Sequence, residues 1–386
     1  MDRRGHRDAE VAVIGVGSVG SMALWQLADR GIPAVGFEQF APGHDRGAAG
    51  GESRVFRVAY HEGSGYTPWL LEARDEWRRL ERAADVRLLD QCGYLEIAAA
   101  DAPSIAATLA GIEEHGLDHE VLDARAAQKR FPAHRFRADD LAVLDRTGGA
   151  LWPEYAVVSA ARQAVARGAR LVRRTRVERI EADDDGVTVH AGGRQWRFGS
   201  AIVTAGAWTR QLLPEIAGTV TPTRLSLAWF PAIEPARFLP AVFPAFGRTV
   251  GETFVYGIPT VDGRSVKVAT TRIDDPDPVD PDRLDREVPG PVLERIAEVV
   301  AEYLPGLVPD PVRAAAYVDG YTPDGHGLVG LHPDHPNLVL VAGLSGHGFK
   351  LAPVFGKAAA DLAVARQSTI AVDFLNPGRF LAGARQ

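Results

Sequence analysis

The sequence predicts an α/β fold whose two parts interleave along the chain, and three observations carry the prediction. A buried strand, a glycine-punctuated turn and a helix open the chain at residues 10–38. Strand-and-glycine-turn units return in the middle, at 201–208, and near the end, at 328–364. Short strand-like segments separate these units, so two domains interleave in sequence and ligands belong at their interface.

A length of 386 residues fits one large or two interleaved domains. With 46% hydrophobic and 24% charged residues the chain has a globular balance, which excludes disordered and collagen-like classes. No apolar run reaches the roughly 18–20 residues of a spanning helix. The opening MDRRGHRDAE has no signal-peptide core, so a soluble, cytoplasmic protein is expected. A net charge of −7 without a basic tract argues against nucleic-acid and anionic-membrane partners. A small-molecule partner, in a monomer or small homo-oligomer, is expected. Cys92 is the single cysteine, and no Cys/His spacing suggests a metal site. Of the 43 basic residues four are lysines (Lys129, Lys267, Lys350 and Lys357), leaving 43 − 4 = 39 arginines. In such a chain a lysine marks a position with its own chemical demand.

The first element, Val11 to Ile14, is a buried strand that runs into Gly15-x-Gly17-x-x-Gly20. A helix follows to about Arg30, then a turn at Gly31 and a second strand ending at Glu38. This is the dinucleotide fingerprint in its required context. Gly15 permits the tight turn, Gly17 lets backbone approach a pyrophosphate, and Gly20 lets helix and strand pack closely. The helix N-terminus offers free N–H groups to phosphate. Glu38, 23 residues past Gly15, is placed to accept from a ribose diol.

Residues 41–51 hold seven glycines or alanines in eleven, a loop for backbone contact with a ligand or a flexible crossover. Arg54 and Arg57 follow on a short helix or strand. Trp69, Leu70, Ala73, Trp77 and Leu80 share one helical face in 66–82 and read as core. An inserted region holds strands near 87–97 and 118–122, a helix near 104–115, and a short helix capped by Asp123 before Pro132. A helix over 154–168 stops at Gly168. Strands are expected near 170–181, 186–191 and 194–198, and another opens the Ala201–Trp208 unit. The segment 223–271 is strand-rich, with Thr253 to Ile258 and Arg264 to Thr270 as its clearest strands. A surface loop at 274–283, a helix near 288–303 and a strand near 313–319 lead to the final strand, turn, strand, glycine loop and helix.

Six motifs in this order resemble the monomeric sarcosine oxidase / N-methyltryptophan oxidase family, within the D-amino-acid-oxidase-like flavoproteins. They are the N-terminal fingerprint, GGESRVFRVAYHEG (50–63), Gly206-Ala-Trp208, YGIP (256–259) with SVKVA (265–269), TPDGHGLVGLHP (322–333) and SGHGFKLAP (345–353). The resemblance covers about residues 9–376. It implies FAD, where the glycine fingerprint alone leaves FAD and NAD open. It implies an FAD-binding, Rossmann-type (glutathione-reductase-like) domain over 9–84, 145–215 and 323–376. An interleaved α+β substrate domain on a mixed sheet takes 85–144 and 216–322, with 1–8 expected to be disordered.

Carried over position by position, Gly15, Gly17, Gly20 and Glu38 hold the ADP half. Ser18, Val19, Gln39, His44 and Trp208 join the cofactor-binding set. Ser53, Arg54 and Val55 lie near the pyrophosphate and flavin, Val177 on the adenine side, and Thr204 to Gly206 at the centre. Gly346, His347, Gly348 and Phe349 lie under the flavin ring, with Lys350 beside them. Arg57 and Lys350 match a pair that binds substrate carboxylate. The plainer reading of Arg57 is a structural ion pair. Lys350 opens a helix, where a cation opposes the dipole and so needs a local anion or a ligand. Lys267 matches a lysine that promotes oxygen reduction, with an exposed strand lysine as its plain alternative. Tyr256 completes the catalytic set.

The sequence also departs from the family. The cysteine that carries FAD covalently there aligns with Tyr317, or with Asp319 after a shift of two, so non-covalent FAD is expected. Cys92 lies far away in QCGYLEIA and reads as a buried, inert thiol. Two family histidines are Gly50 and Thr271 here. The implied reaction is oxidation of the C–N bond of a secondary or N-alkyl amino acid, or a related cyclic imino acid, to an imine, with O2 reduced to H2O2. A D-amino-acid or glycine oxidase, a dehydrogenase acting on a biosynthetic amine, a nicotinamide-dependent dehydrogenase and a catalytically degenerate flavoprotein stay open.

Overall fold

The computed structural model describes residues 6–60, 63–272 and 277–381. Its first large sheet is built on five parallel strands, in the order Arg170–Arg173, Ala34–Glu38, Ala9–Ile14, Arg194–Val203 and Leu338–Ala342. Leu328–Leu331 adds an antiparallel edge. The strand Arg194–Val203 is long enough to serve two partners on one side. Its first half pairs antiparallel with Gly186–Ala191, and its second half pairs with Leu338–Ala342.

Alternation sorts the first strand onto both faces. Val11 and Val13 pack with Trp25 and Leu27 of the helix Ser18–Asp29, whereas Ala12 and Ile14 pack with Phe37 and Phe198. Burying each such aliphatic side chain is worth about 1.5–3 kcal/mol. The helix Ser18–Asp29 lies against the helices Pro153–Ala166 and Ala352–Ala365.

The second sheet runs Arg313–Tyr321, Thr221–Pro231, Ser265–Arg272, Thr253–Ile258, Ala245–Val250, Tyr94–Ala99, Asp140–Asp145, His119–Asp123. All its neighbours are antiparallel except Ala245–Val250 with Tyr94–Ala99. Ile296 and Val300 of the helix Gly290–Tyr303 close its core with Phe230, Phe238, Phe243 and Phe246. A small third sheet joins Arg54–Phe56, Gly149–Leu151 and Leu89–Asp90.

Thr67–Ala84 is a helix whose buried residues include Trp69, Leu70, Ala73, Trp77 and Leu80, the face expected as core. Asp123 caps the short helix Ala124–Arg130 by accepting from the Ala126 N–H at 2.7 Å. Three strand boundaries differ from expectation for local reasons. The segment 170–181 breaks at Arg174, whose φ of +54° turns the chain between Arg170–Arg173 and Val177–Asp183. Gly93, at φ +88°, splits the segment 87–97. The strands expected at 194–198 and from Ala201 are one continuous strand.

Asp8, expected to be disordered, is held by the Arg197 N–H at 2.9 Å and by Arg194 at 3.0 Å; residues 1–5 lie outside the described residues. Part of the loop expected at 274–283 also lies outside them. Cys92 sits between two strands and is half-buried, with its thiol pushed up to about 11 by burial. No described helix is long and apolar enough to cross a membrane.

Candidate active site and cofactor cleft

A cleft of about 940 Å³, counted out to its mouth, opens at the carboxyl ends of the parallel strands. Gly15, Gly17, Ser18, Glu38, Gln39, His44, Val177, Thr204, Gly206 and Trp208 all line it. Gly15 needs its freedom, with φ at +86°. A Cβ on Gly20 would stand 1.9 Å from the Gly15 carbonyl oxygen, so this glycine serves close helix–strand packing. A Cβ on Gly17 meets nothing within 4 Å and would project into open space. No side chain caps the helix that starts at Ser18, and no acid stands in its first turn. Its first N–H groups are therefore available to an anion at the cleft wall.

Glu38 pins the glycine turn. It accepts from the Val16 N–H at 3.0 Å and the Phe40 N–H at 2.8 Å, and burial pushes its carboxyl upward. His44 lies 3.5 Å from Glu38 and is held down at about 4 by burial, so this contact is not an ion pair at neutral pH. This wall fits a dinucleotide: a glycine turn, uncapped helix amides and a carboxylate at the end of the second strand.

The glycine-rich loop is clamped from several sides. Glu154, in the first turn of its helix, accepts from the Gly51 and Glu52 N–H groups at 2.8 and 2.9 Å. Lys267 donates to the Gly51 carbonyl at 3.0 Å and to the Ser53 carbonyl. Arg54 donates to the carbonyls of Ser53 at 2.7 Å, Ala48 at 2.6 Å and Gly50. Glu52 adopts a left-handed backbone, φ +68°, and its carboxylate accepts from Trp229 Nε1 at 2.9 Å and from Arg313. Lys267 is 3% exposed, and burial together with the Arg54 charge holds its ammonium well below the lysine range. The Ser53 hydroxyl is fully buried and makes no hydrogen bond among the described residues.

Arg57 and Lys350 come from segments almost 300 positions apart and meet at one ring. The Arg57 guanidinium lies 4.9 Å from the Tyr60 centroid and the Lys350 ammonium 4.8 Å from it. Lys350 also donates to the Tyr60 hydroxyl at 3.2 Å and the His347 carbonyl at 3.3 Å. Arg57 Nη1 donates to the Tyr94 hydroxyl at 2.9 Å and to Glu96 at 3.3 Å. Phe254 lies 5.6 Å from the guanidinium and stacks on Tyr256, whose hydroxyl burial pushes upward.

Asp319, on the cleft wall, ties in the glycine loop near the chain's end. It accepts from the Gly346 N–H at 3.0 Å and the Gly320 N–H at 2.8 Å, and burial raises its carboxyl. Phe349 stacks on Trp77 at 5.6 Å, His347 contacts the Gly325 carbonyl at 2.9 Å, and Gly348 backs onto the Leu344 side chain. Tyr317 is buried against Gly50. At the other end, Asp282 accepts from Arg176, from Trp208 Nε1 at 2.8 Å and from Gln211 at 3.1 Å.

Val19 and Gly20 lie buried behind the cleft. Ser53, Arg54, Val55, Gly346, His347, Gly348, Phe349, Lys350, Lys267, Arg57 and Tyr256 stand outside its wall. The sequence does not single out Arg176, Gln211, Glu154, Asp282 or Glu96. Only Glu96 leaves a readable signal: a lone carboxylate in the apolar run of YLEIAAA demands a cation.

Among the comparisons, the family described as FAD dependent oxidoreductase matches residues 10–362. Monomeric sarcosine oxidase of Streptomyces avermitilis is 32% identical over 376 residues, covering 97% of this chain and 98% of that one. N-methyl-L-tryptophan oxidase of Salmonella enteritidis is 29% identical, covering 96% and 99%. The open form of NikD, an amino acid oxidase essential for nikkomycin biosynthesis, superposes with a TM-score of 0.84 at 25% identity, covering 96% and 98%. L-proline dehydrogenase from P. horikoshii shares the fold, with a TM-score of 0.84 at 20% identity over 98% and 99% of the two chains. By fingerprint, cleft and likeness over nearly its whole length, the chain belongs to the FAD-dependent oxidoreductases.

Proposed function

We propose that the protein oxidises the C–N bond of a secondary or N-alkyl amino acid to an imine, with O2 as electron acceptor and H2O2 as product. The observation that carries this reading is the convergence of Arg57 and Lys350 on Tyr60. Two cations at one ring can fix a substrate carboxylate and aim the adjacent carbon. The names of the sarcosine and N-methyl-L-tryptophan oxidases support the substrate class. Bound FAD supplies the two-electron oxidation. The residues of the glycine turn, with Glu38, Gln39, His44, Val177, Thr204 and Trp208, hold its ADP half, and the clamped loop with Gly346 to Phe349 holds the flavin end. Tyr256 walls the substrate pocket beside Phe254. Lys267 presents positive charge near the flavin and stabilises negative charge that develops on oxygen. The split of strands between the two large sheets supports cofactor segments at 9–84, 145–215 and 323–376 and substrate segments at 85–144 and 216–322.

FAD is held without a covalent bond in this reading. Tyr317 is buried with Leu227 and Trp229 and has the Arg286 guanidinium 5.6 Å from its ring, and Asp319 is occupied by two backbone N–H groups. Acid precipitation of the yellow protein tests this: flavin is expected in the supernatant, and flavin in the pellet means a side chain carries it. An anaerobic amine screen followed by air tests the reaction. A substrate bleaches the flavin, and O2 restores it with one peroxide per turnover. Bleaching without peroxide identifies a dehydrogenase; no bleaching by any amine removes the proposal.

A further inference from the structure

We propose that Glu96 is a positioning residue that sets how strongly Arg57 holds a substrate carboxylate; this rests on the carboxylate-clamp reading above. Glu96 is 1% exposed and lies on the strand Tyr94–Ala99, in the sheet that carries Lys267 and Tyr256. Its Oε2 accepts from the Tyr94 hydroxyl at 2.5 Å and from Arg57 Nη1 at 3.3 Å. Arg57 is 4% exposed and is ringed by Tyr60, Tyr94 and Phe254 at 4.9, 5.2 and 5.6 Å. Charges this deep interact strongly because little water screens them. A ligand carboxylate therefore competes with Glu96 for the same guanidinium.

Two consequences follow from this geometry. Nη1 is committed to Tyr94 and Glu96, which fixes the plane of the guanidinium. Its charge is also partly compensated before substrate arrives, so the pocket discriminates a carboxylate from a neutral analogue less sharply than an uncompensated arginine would. The Tyr94 hydroxyl stands between the two ions as a neutral bridge, accepting from Arg57 and donating to Glu96. Removing it would pair them more directly. Glu96 and Tyr94 thus act in opposite directions on one binding constant.

The test uses the FAD-loaded enzyme and two unreactive probes of the shape of an N-methyl amino acid, methoxyacetate and methoxyacetamide. Each is titrated by its perturbation of the visible flavin spectrum. Glu96→Gln keeps a hydrogen-bond acceptor and removes the charge. It should tighten methoxyacetate at least fivefold and leave methoxyacetamide within twofold. KM for an oxidised N-alkyl amino acid should fall while kcat stays within twofold. Tyr94→Phe should weaken methoxyacetate at least threefold, and it carries the test alone should Glu96→Gln fail to fold. Unchanged or weaker methoxyacetate binding in Glu96→Gln, or unchanged binding in Tyr94→Phe, overturns the inference. Wild-type enzyme that oxidises amines but never binds methoxyacetate removes the clamp itself, and this inference with it.

Discussion

Lys267 stands where a cation is costly. Burial and the nearby charge of Arg54 both favour its neutral form, while the Glu154 and Glu52 carboxylates favour the ammonium, which donates to the Gly51 and Ser53 carbonyls. A fixed charge held by backbone oxygens needs no reorganisation when a reacting group becomes negative. Lys267→Met should slow reoxidation of the reduced flavin by O2 at least tenfold and leave anaerobic reduction within about threefold. Stopped-flow mixing separates the two half-reactions, and equal reoxidation rates would remove Lys267 from oxygen chemistry. The depressed pKa also fixes a direction. The ammonium is lost as pH rises through a value below the ordinary lysine range, so wild-type reoxidation should slow toward alkaline pH, and the Met variant should show no such limb.

At the scale of elements, the opening strand, turn and helix separate two uses of glycine. Gly20→Ala forces a Cβ to within 1.9 Å of the Gly15 carbonyl, so the turn must open, and the variant should lose several kcal/mol, about the scale of other core overpacking. Gly17→Ala adds a methyl that meets no protein atom within 4 Å. It should fold with a near wild-type Tm, yet bind FAD at least tenfold more weakly, measured by quenching of flavin fluorescence. Similar Tm losses in both variants would mean that the cleft wall is not shaped for a cofactor. This unit was legible in the sequence because spacing and residue type suffice within about 30 positions. The helix face of Trp69 to Leu80 was legible for the same reason. Glu154, Asp282 and Glu96 were not, because each acts on a distant segment and only the tertiary fold decides which. Glu154 reads in sequence as an ordinary first-turn acid, yet it gathers two amides from a loop 102 and 103 positions away.

For the molecule as a whole, buried histidines contribute to the loss of stability in acid. His134 is completely buried, stacks on Phe243 at 4.7 Å, and is held well below the ordinary histidine range by burial and by the Arg248 charge. Arg248 is itself paired with buried Asp140 at 2.7 Å. In the unfolded chain the imidazole returns to its ordinary value, so below that pH the unfolded state binds the extra proton. Stability is therefore fully present above about pH 6.5 and falls as pH drops, by up to about 1.4 kcal/mol per unit for each such group. His44 adds the same trend between 6.5 and about 4. His134→Phe keeps the aromatic packing and removes the proton site, so its Tm should decline less steeply than wild type from pH 6.5 to 4.5. Parallel curves would assign the acid limb to other groups.

The strand Arg194–Val203 has the chain's first strand on one flank and Leu338–Ala342 on the other. A ribosome supplies the first strand, then Arg194–Val203, and Leu338–Ala342 last. Until residue 342 has left the exit tunnel, the second half of Arg194–Val203 stands with one flank unpaired, and the helix Ser18–Asp29 lacks its neighbour Ala352–Ala365. The nascent chain thus carries its glycine fingerprint long before the sheet and helix that back it are complete.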